Sequence, residues 1–132
     1  MDLHTDLYFL KIMKDKLNIL LLDCNEPRLH RITSLINCCN EGKYCIDPRP
    51  SVDQYTFENN NYDIVLAHYG NEEVEESIAD GDWNSGDAVI IFFSGGFDKD
   101  KEQDDYGDWW VSASYMEERK NICILLKEAC EQ

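Results

Sequence analysis

The chain has no run approaching the ~20 consecutive apolar residues that a bilayer-spanning helix requires, so a membrane-embedded protein is not expected. Positive charge is also scarce: 12 Lys and Arg stand against 27 Asp and Glu, a net charge of −15. A surface that negative repels phosphate backbones and anionic headgroups, which argues against direct contact with nucleic acid or a membrane. It suits a basic protein partner, or simple solubility. The start, Met1-Asp2-Leu3-His4-Thr5-Asp6, lacks the basic residues and apolar stretch of a secretion signal, so a cytoplasmic location is expected. No C-x-x-C pair occurs among the six cysteines (Cys24, Cys38, Cys39, Cys45, Cys123, Cys130), and no metal site is expected. Without an export signal these are read as free thiols, most of them buried as small apolar side chains.

What is present is enough apolar material, 43% of 132 residues, for one domain with its own core. Leu3, Leu7, Leu10 and Met13 have helical spacing and predict an N-terminal helical extension over residues 1–16, ahead of an α/β domain over 17–132. Leu17-Asn18-Ile19-Leu20-Leu21-Leu22-Asp23 is a nearly continuous apolar run, the pattern of a parallel strand buried on both faces. Pro27 then suits the first turn of a helix, whose apolar face is Leu29, Ile32, Leu35, Ile36 and Cys39, ended by Gly42. Further strands are predicted at 43–46, 62–68, 87–94 and 109–112, with short helices at 51–59 and 72–80. The charged stretch 97–105 has almost nothing to bury and reads as a loop; the chain closes with a helix over 115–128. Strands separated by helices imply parallel pairing with right-handed crossovers. The expectation is therefore a three-layer, doubly wound, five-stranded parallel sheet of order 2-1-3-4-5, with a reduced fourth helix.

Three strand ends carry a resemblance: Ile19-Leu20-Leu21-Leu22-Asp23, Tyr62-Asp63-Ile64-Val65-Leu66-Ala67-His68 and Val89-Ile90-Ile91-Phe92-Phe93-Ser94-Gly95. With the order of elements, they make residues 17–130 resemble the receiver domain of bacterial response regulators, a flavodoxin-like fold. The resemblance implies an acidic pair for Mg²⁺ after the first strand and a phospho-accepting aspartate after the third. It also implies a hydroxyl after the fourth strand and a lysine after the fifth. Asp23 and Ser94 match, but Cys24, His68 and Ser112 stand where the second acid, the acceptor and the lysine belong. Mg²⁺ prefers oxygen ligands, and phosphoryl transfer needs positive charge around the transferred group. The degenerate pocket Asp23, Cys24, His68, Ser94 and Ser112 is thus expected to hold neither metal nor cofactor and to have no catalytic role.

The implied function is a non-enzymatic pseudo-receiver, a signalling module that works through protein–protein contact. The short, charged connection before the last strand remodels the face that receivers use for output, so Phe97, Trp109, Trp110, Asp104 and Asp105 are the partner-binding candidates. A homodimer through the N-terminal helix, or through the last strand and helix, is a further option. Two alternatives come from other classes. Six acids over 72–82 and six over 98–108 suit an acidic inhibitor or nucleic-acid mimic. The sheet's carboxyl ends, with Asp23, Cys24, His68, Tyr69 and Ser94, suit a flavodoxin-like small-ligand protein, although no phosphate loop follows strand one. A Cys24–His68 nucleophile pair would further need an oxyanion site, which the sequence does not display.

Overall fold

The computed structural model describes residues 16–39, 43–52, 56, 62–70 and 88–130. Their elements run β1 (Leu17–Leu22), α1 (Glu26–Asn37), β2 (Tyr44–Arg49), β3 (Ile64–His68), β4 (Val89–Ser94), β5 (Lys101–Gln103), β6 (Trp109–Ser112), α2 (Ala113–Met116) and α3 (Arg119–Cys130). The expected helices at 2–15 and 72–80 lie outside the described residues, as does most of the one at 51–59.

The strands form one sheet of order β2-β1-β3-β4-β6-β5. Pairing is parallel except for β5 on β6, in a fold compatible with the flavodoxin-like class. The expected strand count and order need correcting: the described residues form six strands, and the strand at 109–112 is not the edge. β5 forms from Lys101-Glu102-Gln103, inside the charged stretch read as a loop for want of an apolar stripe. An antiparallel edge strand needs no such stripe, because its ladder is backbone and its charges discourage further pairing. Ser112 N–H to the Asp100 carbonyl (3.0 Å) and Asp104 N–H to the Asp108 carbonyl (2.8 Å) extend this ladder at both ends. β6 is paired on both sides, with β4 and with β5, so neither of its edges is open to a further strand.

Strand alternation sorts the core into two faces. Ile19, Leu21, Ile64, Leu66, Ile91, Phe93, Trp109 and Val111 point to the face covered by α1 and α3. Leu20, Leu22, Val65, Ala67 and Phe92 point to the other, where Val52, Tyr62, Tyr69, Ile90, Phe97 and Trp110 pack on them. Both faces of β1 and β3 are buried, which is why those strands read as uninterrupted apolar runs.

α1 begins at Asn25, whose side chain accepts from the Arg28 N–H (3.0 Å), with Pro27 in the first turn. The expected final helix is broken into α2 and α3. Its buried Met116 and Ile122 are six residues apart and would sit roughly 240° around one continuous helix, so the break turns both inward.

The cysteine expectation is corrected as well. Cys39 and Cys123, 84 residues apart in sequence, are joined in a disulfide with Cα atoms 5.6 Å apart, tying the end of α1 to the first turns of α3. Outside the disulfide, Cys24, Cys38 and Cys45 are exposed and Cys130 is half-buried, so these side chains are not mainly in the core.

Candidate functional site

The carboxyl end of the sheet is where β1 and β3 deliver Asp23 and His68. Register pairs Leu22 with Ala67, so the next residues along, Asp23 and His68, leave the sheet side by side. By alternation both belong to the face of α1. Asp23 is fully buried, and its backbone N–H still reaches the Arg49 carbonyl at 3.2 Å. Its carboxylate is already occupied. Arg28, one turn into α1, donates from Nε to Oδ2 and from Nη2 to Oδ1 (2.8 Å), while the Asn25 N–H also donates to Oδ1 (3.0 Å). This two-pronged pair is the geometry in which guanidinium and carboxylate fit best. It raises the Arg28 pKa, chiefly through the hydrogen bond to Asp23, against the opposing effect of burial.

Arg28 is the site residue that sequence reasoning missed. The signal was present: an arginine five residues after a strand-ending aspartate, in the first turn of the helix that follows. Its consequence is electrostatic. The buried carboxylate that would attract a cation already faces one. His68, beside them, has its pKa lowered, first by burial and then by the Arg28 charge, with Asp23 opposing. Its ring packs edge-on against Phe93 with centroids 5.4 Å apart, and Nδ1 is buried with no hydrogen-bond partner among the described residues. Burial and the Arg28 charge thus favour the neutral imidazole over the imidazolium.

Cys24 is exposed and adjacent to this pair. Ser94 and Ser112 are register partners on β4 and β6, and alternation assigns them to the opposite face from Asp23 and His68. Each hydroxyl has local work. Ser94 Oγ accepts from the Gly96 N–H (3.2 Å), closing the turn after β4. Ser112 Oγ accepts from the Tyr115 N–H (3.3 Å), capping α2. The Gly95-Gly96 pair therefore makes a turn, and one of its N–H groups is committed there. Among the described residues no group of three or more His, Cys, Asp or Glu side chains could hold a metal ion.

The partner-binding candidates are distributed unevenly. Trp109 is 7% exposed and sits in the core against the α1 and α3 face, so it offers little to a partner. Phe97 and Trp110 are half-buried and join Tyr69 and Phe92 in one aromatic cluster, with Trp110 4.6 Å from Phe92, 5.3 Å from Tyr69 and 5.6 Å from Phe97 between ring centroids. Asp104 is the hub of the β5–β6 hairpin. Its carboxylate accepts from Trp110 Nε1 (2.8 Å), the Tyr106 N–H (2.9 Å) and the Asp108 N–H (3.0 Å). These bonds, the Trp110 one foremost, hold its pKa below the ordinary carboxylate value. Burial, with the Asp104 charge adding to it, pushes Asp108 up. Gly107, at φ +90°, takes the left-handed position that closes a three-residue hairpin loop. At the tip, beside exposed Asp105, Tyr106 is 93% exposed. Sequence reasoning missed Tyr106 because the stretch had no visible turn until β5 supplied one.

No protein-family model, no curated protein and no solved structure matches the chain.

Proposed function

We propose that the chain is a non-enzymatic, receiver-like interaction module that works in the cytoplasm without aspartyl phosphorylation. The observation that carries this reading is the Asp23 carboxylate held by Arg28 and the Asn25 N–H. In a receiver that carboxylate would be a Mg²⁺ ligand; here a guanidinium already neutralises it. His68 at the acceptor position, and Ser112 spent as a helix cap where a lysine belongs, remove the remaining support for a phosphoryl group.

Contact then falls to the β5–β6 side. The hairpin tip is ordered before any partner arrives, which lowers the entropy lost on docking. It presents Tyr106 and Asp105, with Asp104 and Trp110 fixed beneath and Phe97 alongside. Lys99 and Lys101, the bases of this stretch, are paired with Glu102 and Glu128, so the hairpin's face is acidic. A basic protein surface with a pocket for an aromatic ring is the partner this chemistry fits.

Incubation with acetyl phosphate and Mg²⁺, followed by intact-mass spectrometry, tests the pocket: an unchanged mass is expected, and a stoichiometric phosphoryl adduct overturns the reading. Capture from lysate at low and high salt tests the surface. The aromatic anchor predicts that Tyr106→Ala releases the partner at either salt. Binding that ignores Tyr106→Ala yet vanishes at high salt selects the acidic-mimic alternative, which the acids over 98–108 favour.

A further inference from the structure

The disulfide and the free thiols make an unequal set. A protein that matures in an oxidising compartment normally leaves few cysteines unpaired, since exposed thiols there form mixed or intermolecular disulfides. This chain keeps Cys24, Cys38 and Cys45 exposed and unpaired while Cys39 and Cys123 are bonded. The surroundings of the bond differ at its two ends. Cys39 is 2% exposed and buried in the core below the sheet. Cys123 is half-buried at the edge of that core, so a reductant has one side from which to approach.

The bond also has a definite mechanical place. α1 and α3 lie on the same face of the sheet; beside the disulfide Arg119 Nη2, at the start of α3, donates to the Cys38 carbonyl at 3.3 Å, and farther along α1 Arg31 pairs with Glu117 in the turn between α2 and α3. Breaking the covalent link leaves the α1–α3 contact to the exposed Arg119 bond and to apolar packing.

We propose that Cys39–Cys123 is a reversible redox tie that sets how firmly α3 is held against α1. To open it, a thiolate of a dithiol reductant attacks Cys123 Sγ. The S–S bond breaks and Cys39 leaves as a thiolate that takes a proton from water. The reductant's second thiol then displaces Cys123 as a thiolate and the reductant departs as its own disulfide, having given two electrons to the Cys39–Cys123 pair. To close it, hydrogen peroxide oxidises the Cys123 thiolate to a sulfenic acid, releasing hydroxide. Cys39 then attacks that sulfur and water leaves.

The test uses the full chain and two readouts. Iodoacetamide labelling before and after dithiothreitol, read by mass spectrometry, is expected to add two labels on reduction, mapping to Cys39 and Cys123. Titration with glutathione buffers, from fully reduced to fully oxidised, is expected to open and close the bond reversibly. Backbone hydrogen exchange in α3 should be about tenfold faster in the open form, with the β1 and β3 amides unchanged. A Cys39→Ser/Cys123→Ser chain should show the fast α3 exchange at every glutathione ratio. A bond that no glutathione ratio opens, a chain that labels at both cysteines without reduction, or α3 exchange indifferent to the bond each overturns the proposal. These readouts do not depend on any partner or on the phosphorylation result.

Discussion

A carboxylate with no water around it must find its counter-charge in the protein, and Asp23 finds it in Arg28. The pair is unequal in exposure, with the Asp23 side chain fully buried and that of Arg28 about one-fifth exposed. Losing the arginine is therefore the more damaging change: Arg28→Ala strands a buried charge and is expected to cost about 3 kcal/mol, the low end for a broken buried pair. Urea denaturation measures it. Adding Asp23→Asn should recover part of that loss, because the uncompensated charge goes; a double variant as unstable as the single one would place the loss in packing instead. His68 gives a second residue-scale outcome. Its folded pKa lies below the unfolded value near 6.5, lowered mainly by burial. The unfolded chain thus binds the proton more readily, so stability is fully present above pH 6.5 and falls as pH drops towards the folded pKa. Denaturation midpoints between pH 7.5 and 5.5, compared with those of His68→Gln, should show the wild-type slope reduced in the variant.

Among the elements, the β5–β6 hairpin adds to its backbone ladder a turn in which the Asp104 side chain accepts three hydrogen bonds. Asp104→Ala removes three acceptor contacts, including the one to Trp110 Nε1, and is expected to cost about 1–2 kcal/mol. Trp110 emission should shift red as its indole loosens from Phe97 and Phe92; an unmoved spectrum would mean the cluster holds without the carboxylate. This hairpin also marks where reading the chain alone stops. β1, β3 and β4 announce themselves because a parallel strand buried on both faces must be apolar throughout. α1 does so through Pro27 and its Leu29, Ile32 and Ile36 stripe. β5 carries no such mark, since its stability comes from the backbone of β6, a partner several residues away. The same holds in the site: Asp23, Cys24 and His68 are visible as strand ends, but the pairing of Asp23 with Arg28 and of Cys39 with Cys123 depends on how α1 lies on the sheet. Trp109 and Trp110, adjacent in sequence, end on opposite faces, one in the core and one in the aromatic cluster. Only the register of β6 decides which.

At the scale of the whole molecule, charge is the dominant unbalanced quantity. Among the described residues Arg28, Arg31, Arg49, Lys99 and Lys101 are already committed to ion pairs. Apart from Asp23–Arg28 these pairs are at least partly exposed, and such pairs contribute about 0–1 kcal/mol each. Against them stands a surplus of 15 negative charges that folding brings closer together. Two effects of salt then compete: screening weakens the pairs, and it weakens the repulsion. The Debye length shrinks from roughly 30 Å at 0.01 M to roughly 3 Å at 1 M. Repulsion acts over the longer distances and involves more charges, so it loses more. The chain is therefore expected to gain stability with added NaCl, seen as a urea midpoint that rises between those two concentrations. KCl should give the same rise, because the effect is one of ionic strength and not of a bound ion. A midpoint that falls with salt would mean that the ion pairs, with Asp23–Arg28 foremost, outweigh the repulsion.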